Sequence, residues 1–191
     1  MAINIGTTGT AGRFIGGGAG VYRNTALKLY IDPYRYDCFT AETDSSMEDL
    51  SGWGNNLTCV NGARDFSNGY WYLDGTDDFA YRTDDPDFDY GTTTDFSVQL
   101  WYRNLGSDFF LIQKGYQYSS NAGWTIWYSD DAGKLYVHLG SETTHTQDGG
   151  ESWDSGWINV AVTVDRSSFV KIYKNGSLVT TDNDISTNHN L

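Results

Sequence analysis

The chain has 191 residues and a net charge of −13, from 25 acidic and 12 basic side chains. That length suits one domain with a full core. The charge excludes nucleic acid and anionic membrane surfaces as partners, because phosphate contacts need a basic face. No apolar run approaches the roughly 20 residues that span a bilayer.

In chain order, residues 1–24 stand apart. They are rich in Gly and Thr, contain GGGAG at Gly16–Gly20, and carry too little apolar surface to fold alone. The opening MAINIGTTGTAGRF has no basic stretch followed by an apolar one, so no secretory signal is expected. Two readings stand: a disordered tail, or an extended arm that orders on a partner. Ile3, Ile5, Phe14 and Ile15 would be the arm's anchors.

From Ala26 onward strand signals recur, and residues 25–191 read as one all-β domain. Strands are expected at 26–32, 55–60, 69–73, 79–82, 95–103, 109–113, 123–128, 134–139, 157–164, 169–174 and 177–180. In DFSVQLWYR, the residues Phe96, Val98 and Leu100 share one face. Asn175-Gly176 between two such runs is a hairpin signal of the type I′ kind. A single helical turn is expected at Ser45 to Leu50, where Ser46 would cap toward Asp49. Many short strands with turn residues between them are the pattern of a β-sandwich or jelly roll. Trp101, Trp127, Trp157 and Tyr173 then read as core. Cys38 and Cys59 have no metal-type spacing. Sequence leaves their pairing open, and two free thiols is the favoured reading.

The order of motifs resembles the laminin-G-like, concanavalin A-like jelly rolls, in the version found in bacteriophage structural proteins. The resemblance runs from about Ala26 to Ile185. It is carried by LKLYIDPYRYD at 27–37, EDLSGWGNNLTCVNGARDF at 48–66 and WYLDGTDDFAYR at 71–82. DFSVQLWYR at 95–103 and WINVAVTVDRSSFVKIYKNGSLV at 157–179 complete it. The family pattern has two further strands after the Asn-Gly hairpin, whereas this chain runs into the polar TDNDISTNHNL. Either the chain is a piece of a longer product, or it is naturally short; in the second case a sheet edge would lie open, for the arm or a neighbouring subunit to cover.

The acidic knot Asp74, Asp77, Asp78 reads as a turn whose carboxylates satisfy local backbone donors. Calcium is the cofactor candidate, since it takes six to eight oxygens. Its candidate ligands are Asp85, Asp87 and Asp89 in DDPDFDYG. The glycine there falls one position too late for an EF-hand and no closing Glu follows, so an EF-hand is rejected. A calcium site in a sandwich loop, as in some relatives, is left by the resemblance beside the favoured reading, a solvated acidic loop.

Catalysis is not expected. The hydrolases of this resemblance carry a Glu-x-Asp-x-x-Glu strand, and no such strand exists here. His138, His145 and His189 form no readable triad or metal cluster, and Glu151 with Asp154 is the nearest acidic pair. Glycan binding is the remaining chemistry, by stacking on loop aromatics with amide and carboxylate partners. Trp53, Asn55, Tyr116, Tyr118, Trp153 and Asp154 are its candidates, and packing against the sandwich rim is the favoured alternative for each of them taken singly.

The resemblance implies a non-catalytic virion protein of appendage, fibre or decoration type, made in host cytoplasm. The arm would bind other virion proteins, the sandwich would display a glycan-binding face, and homo-oligomers would follow particle symmetry. A free adhesion module of a cellular protein and a glycan-active enzyme are the alternatives.

Overall fold

The fold is taken from a computed structural model. It describes residues 3–7, 26–33, 35, 37–38, 45–61, 70–103, 109–115, 123–129, 133–140, 143–147, 153, 156–182 and 191. The chain is an all-β protein of antiparallel sheets. It divides into two compact units, Met1–Asp85 and Pro86–Leu191.

In the first unit, β1 (Ile3–Thr7) pairs antiparallel with β2 (Leu27–Ile31), Ile3 opposite Ile31 and Ile5 opposite Leu29. Part of the expected arm is thus a strand of the chain's own sheet. Ile3 and Ile5 are ladder positions rather than anchors on a free arm. Phe14 and Ile15 lie outside the described residues. Along β2, Leu27, Leu29 and Ile31 are buried and the residues between them are half-buried, the period of two that a pleated strand imposes.

The strands β3 (Ser46–Met47), β4 (Leu57–Val60) and β5 (Phe79–Tyr81) form a three-stranded sheet in that order. The turn of helix expected at Ser45 to Leu50 is therefore absent. Ser46 and Met47 pair with Thr58 and Leu57, and the N–H groups of Glu48, Asp49 and Leu50 donate to the Cys38 carbonyl, Asn56 Oδ1 and the Tyr30 carbonyl rather than along a helix. A single helical turn fixes three residues for one bond and loses to that alternative. Residues 70–73 form no strand either. There the Asp74 N–H goes to the Asp78 carboxylate, and the Asp74 carboxylate accepts from the Thr76 N–H, a turn closed by its own side chains.

The second unit opens with a 3-10 turn at Pro86–Phe88. Its strands are β6 (Phe96–Arg103), β7 (Phe109–Lys114), β8 (Trp124–Ser129), β9 (Lys134–Leu139), β10 (Thr143–Gln147), β11 (Trp157–Asp165), β12 (Phe169–Lys174) and β13 (Ser177–Asp182). One layer runs β13-β12-β11-β6 and the other β10-β9-β8-β7. Strand β10 has no counterpart among the expected strands. Asn175 and Gly176 turn between β12 and β13 with φ of 50° and 84°, the left-handed pair that an Asn-Gly hairpin requires.

The layers close face to face as a sandwich. Phe96 of β6 meets Trp124 of β8 with ring centroids 5.5 Å apart, and Tyr102 meets Phe109 at 5.5 Å. Tyr90 stacks on Phe96 at 4.3 Å. Val98, Leu100, Ile158, Val160, Val162 and Ile172 fill the space between. Because those residues take the inward positions, their neighbours face out. Trp101 and Trp157, expected in the core, are 46% and 42% exposed. Tyr173 is half-buried on the same outward side, and Trp127 is half-buried against Tyr136 at 4.6 Å. Leu191 is buried and exchanges both backbone hydrogen bonds with Gly91, at 2.9 and 3.1 Å.

Cys38 and Cys59 are both buried and are not joined in a disulfide. Burial pushes the Cys38 thiol up to about 12 from an ordinary 9.0. As pH rises the unfolded thiol loses its proton first, so the stability tied to Cys38 is full below about pH 9 and is lost toward about pH 12. Denaturation midpoints should fall across that window, and less steeply in Cys38→Ala. Equal slopes would contradict the assignment. At about pH 8 a thiol reagent should label neither cysteine in the native protein and both in denaturant.

Candidate functional site

The loop between β3 and β4 is built around one carboxylate. Asp49 is 9% exposed. Its Oδ1 accepts from the backbone N–H groups of Tyr30 and Ser51, both at 2.9 Å. Its Oδ2 accepts from the Ser51 hydroxyl at 2.6 Å and the Asn55 N–H at 3.0 Å. The Asn55 amide, fully buried, donates to the Lys28 carbonyl at 2.7 Å, and Asn56 Oδ1 accepts from the Asp49 N–H at 2.9 Å. Four donors converge on a largely desolvated anion, the strong class of hydrogen bond.

The chain between these anchors is forced outward. Gly52 and Gly54 take φ of 88° and 77°, a conformation that side chains with a Cβ resist. Between them stands Trp53, 45% exposed. The Lys28 ammonium lies 3.5 Å from the centre of its indole ring, a cation–π contact. Arg82, beyond β5, donates to the Gly54 carbonyl at 3.0 Å and forms an ion pair with Asp85. Trp53 is thus an exposed aromatic on a loop tied to β2 and to the segment after β5.

The structure sorts the remaining candidates. Asn55 is interior and its amide supports the loop, so it presents nothing to a sugar. Trp153 is 0% exposed, with its carbonyl accepting from the Tyr102 hydroxyl at 2.8 Å and Lys174 above its ring at 5.3 Å. It is a core residue and cannot stack on a ligand from solvent. Tyr116, Tyr118, Asp154 and Glu151 lie outside the described residues.

Asp85 is engaged by Arg82, and Asp89 forms an ion pair with Lys114. Asp87 sits in the 3-10 turn. Two of the three calcium candidates therefore already face a side-chain cation. Among the described residues, the carboxylates that approach one another closely enough for one ion are Asp74, Asp77 and Asp78, within 4.8 Å. The carboxylates of Asp74 and Asp78 serve the turn described above. His138 lies on β9 beside Trp127, with ring centroids 6.0 Å apart.

Two features escaped the sequence reading: the buried role of Asp49 and the outward aromatics of β6 and β11. The spacing Asp49-x-Ser51-Gly52-x-Gly54-Asn55 held the signal for the first. An acid, a hydroxyl and an amide around two glycines is what a loop closed on a carboxylate needs.

The fold is that of an antiparallel β-sandwich protein, and the loop between β3 and β4 carries an exposed indole. Residues 44–190 match the family described as Clostridium neurotoxin, N-terminal receptor binding, and the chain belongs to that family. The description is one of recognition rather than of a reaction, and it carries no phage component. No curated protein matches the chain.

Removing the Asp49 carboxylate strands three buried backbone donors. Asp49→Ala should lower stability by about 3 kcal/mol or more. Asp74→Ala, in an exposed turn, should lower it far less and leave binding unchanged. Urea titrations that ranked the two variants in the opposite order would refute the hub.

Proposed function

We propose that this chain is a non-catalytic recognition module whose Trp53 loop binds a glycan carried by a cell-surface receptor. The observation that supports this is Trp53 itself, a half-exposed indole held out by two left-handed glycines and a buried carboxylate. A large apolar residue kept in water at a fixed angle lowers core stability, and a loop with the Asp49 network has no structural need of it. Sugars bind such rings by stacking an apolar face and directing hydroxyls to nearby polar groups. Pre-ordering the loop removes an ordering cost from binding. The family, described by receptor binding, supports the same reading.

The carrier implied by the sequence resemblance is a phage particle, with the module outermost on an appendage of repeated subunits. A concanavalin A-like jelly roll is the connectivity that goes with it. Calcium is not required in this reading, since Asp85 and Asp89 already have cationic partners.

The test is a broad glycan panel with the full chain, in calcium and then in chelator. Binding of at least one glycan should be equal in both and lost in Trp53→Ala at an unchanged melting temperature. A Trp53→Ala variant that binds every glycan as tightly as the parent would overturn the assignment.

A further inference from the structure

The outward face of β13-β12-β11-β6 is shaped by the register of its strands. On β11 the outward residues Asn159, Ala161 and Thr163 are small. Trp101 lies directly opposite Asn159 on β6, and Gln99 opposite Ala161. On the other flank Tyr173 is opposite Ala161 and Lys171 opposite Thr163. Trp157 closes one end, with Arg103 beside it. A trough therefore runs along β11, floored by small side chains and walled by large ones. Strand spacing places its walls about 10 Å apart.

Trp101 and Trp157 are the exposed aromatics of this trough, at 46% and 42%. Its floor is pre-ordered. The Gln99 amide donates to Asn159 Oδ1 at 3.2 Å, and the Asn159 amide donates to the Leu100 carbonyl at 3.3 Å. The charges are the unusual feature. The chain has 25 acidic side chains against 12 basic ones, yet the charged residues among those lining the described trough are Arg103 and Lys171, both cationic. The first carboxylate, Asp165, lies one row beyond and accepts from the N–H and hydroxyl of Ser167 at 3.0 and 2.7 Å.

We infer that this trough is a second binding site, for an acidic saccharide, with Trp101 and Trp157 stacking sugar rings and Arg103 pairing with the anionic group. The inference rests on the glycan reading above but uses a different unit of the chain and different residues. Two indoles diagonal to one another across an antiparallel pair suit successive rings of one chain. A guanidinium beside them suits a carboxylate or a sulfate through a two-pronged hydrogen bond. Arg103 selects an anionic ligand over a neutral one, and the net charge of −13 on every copy opposes self-association.

The experiment measures binding of the full chain to three hexasaccharides by calorimetry: oligogalacturonate, a neutral galactose oligomer and a sulfated galactose oligomer. Oligogalacturonate should bind, more weakly as salt rises. Trp101→Ala and Arg103→Gln should each weaken it about tenfold or more, in the parent chain and in a Trp53→Ala background alike. Both substituted side chains face solvent, and Arg103→Gln changes charge with little loss of packing, so melting temperatures should hold. Binding of the sulfated oligomer through the same two residues also supports the inference and assigns sulfate as the anion. If acidic oligomers bind only through Trp53, this inference fails and the first site stands. If no glycan of any kind binds the folded protein, both fail. A salt-sensitive dimer that Trp101→Ala converts to monomer, with no saccharide effect, would overturn the inference in favour of self-association.

Discussion

A pleated strand sends successive side chains to opposite sides, and most of this molecule follows from that constraint. On β6, Phe96, Val98, Leu100 and Tyr102 are buried while Ser97, Gln99, Trp101 and Arg103 face away from them. Strand β11 repeats the pattern with Ile158, Val160, Val162 and Val164 inward. Antiparallel pairing then aligns the two outward sets, Trp101 with Asn159 and Arg103 with Trp157. A slip of one residue would bury Trp101 and Arg103 and expose the valines. The core and the trough are thus two readings of one register.

The first unit solves a different problem. Its sheets are short, with two- to four-residue strands in β3, β4 and β5. Backbone groups left without a ladder need other partners. A carboxylate supplies them: Asp49 binds donors from Tyr30, Ser51 and Asn55, and the Asn55 amide returns to the Lys28 carbonyl. The same network leaves Trp53 no inward path. Asp74 does a smaller version of this job in the exposed turn before β5.

Recognition without catalysis accords with where the polar groups are spent. Asp49 and Asn55 are consumed by backbone donors and acceptors, and Asp85 and Asp89 by neighbouring cations. The two proposed sites instead present aromatic rings, Trp53 beside Lys28 and Trp101 and Trp157 beside Arg103. That composition binds ligands by contact area and directed hydrogen bonds.

The sequence by itself determined the all-β class, most of the strand positions and the Asn175-Gly176 hairpin. Those depend on local alternation and on the backbone preferences of single residues, which a linear pattern records. Sequence also placed Trp53 on a loop, one aromatic candidate among several, because GWGNN reads as turn residues. Tertiary structure decided the rest. Trp153 and Trp101 each sit among polar and apolar neighbours in a linear reading, and only the packing of the second unit places one in the core and the other in water. Asn55 reads as a ligand group until the Lys28 carbonyl, 27 residues away in sequence, claims its amide. The trough needed strand neighbours: Arg103 meets Trp157 across 54 residues of chain. Burial and convergence belong to pairs of residues distant in sequence, and no local pattern encodes which pairs those are.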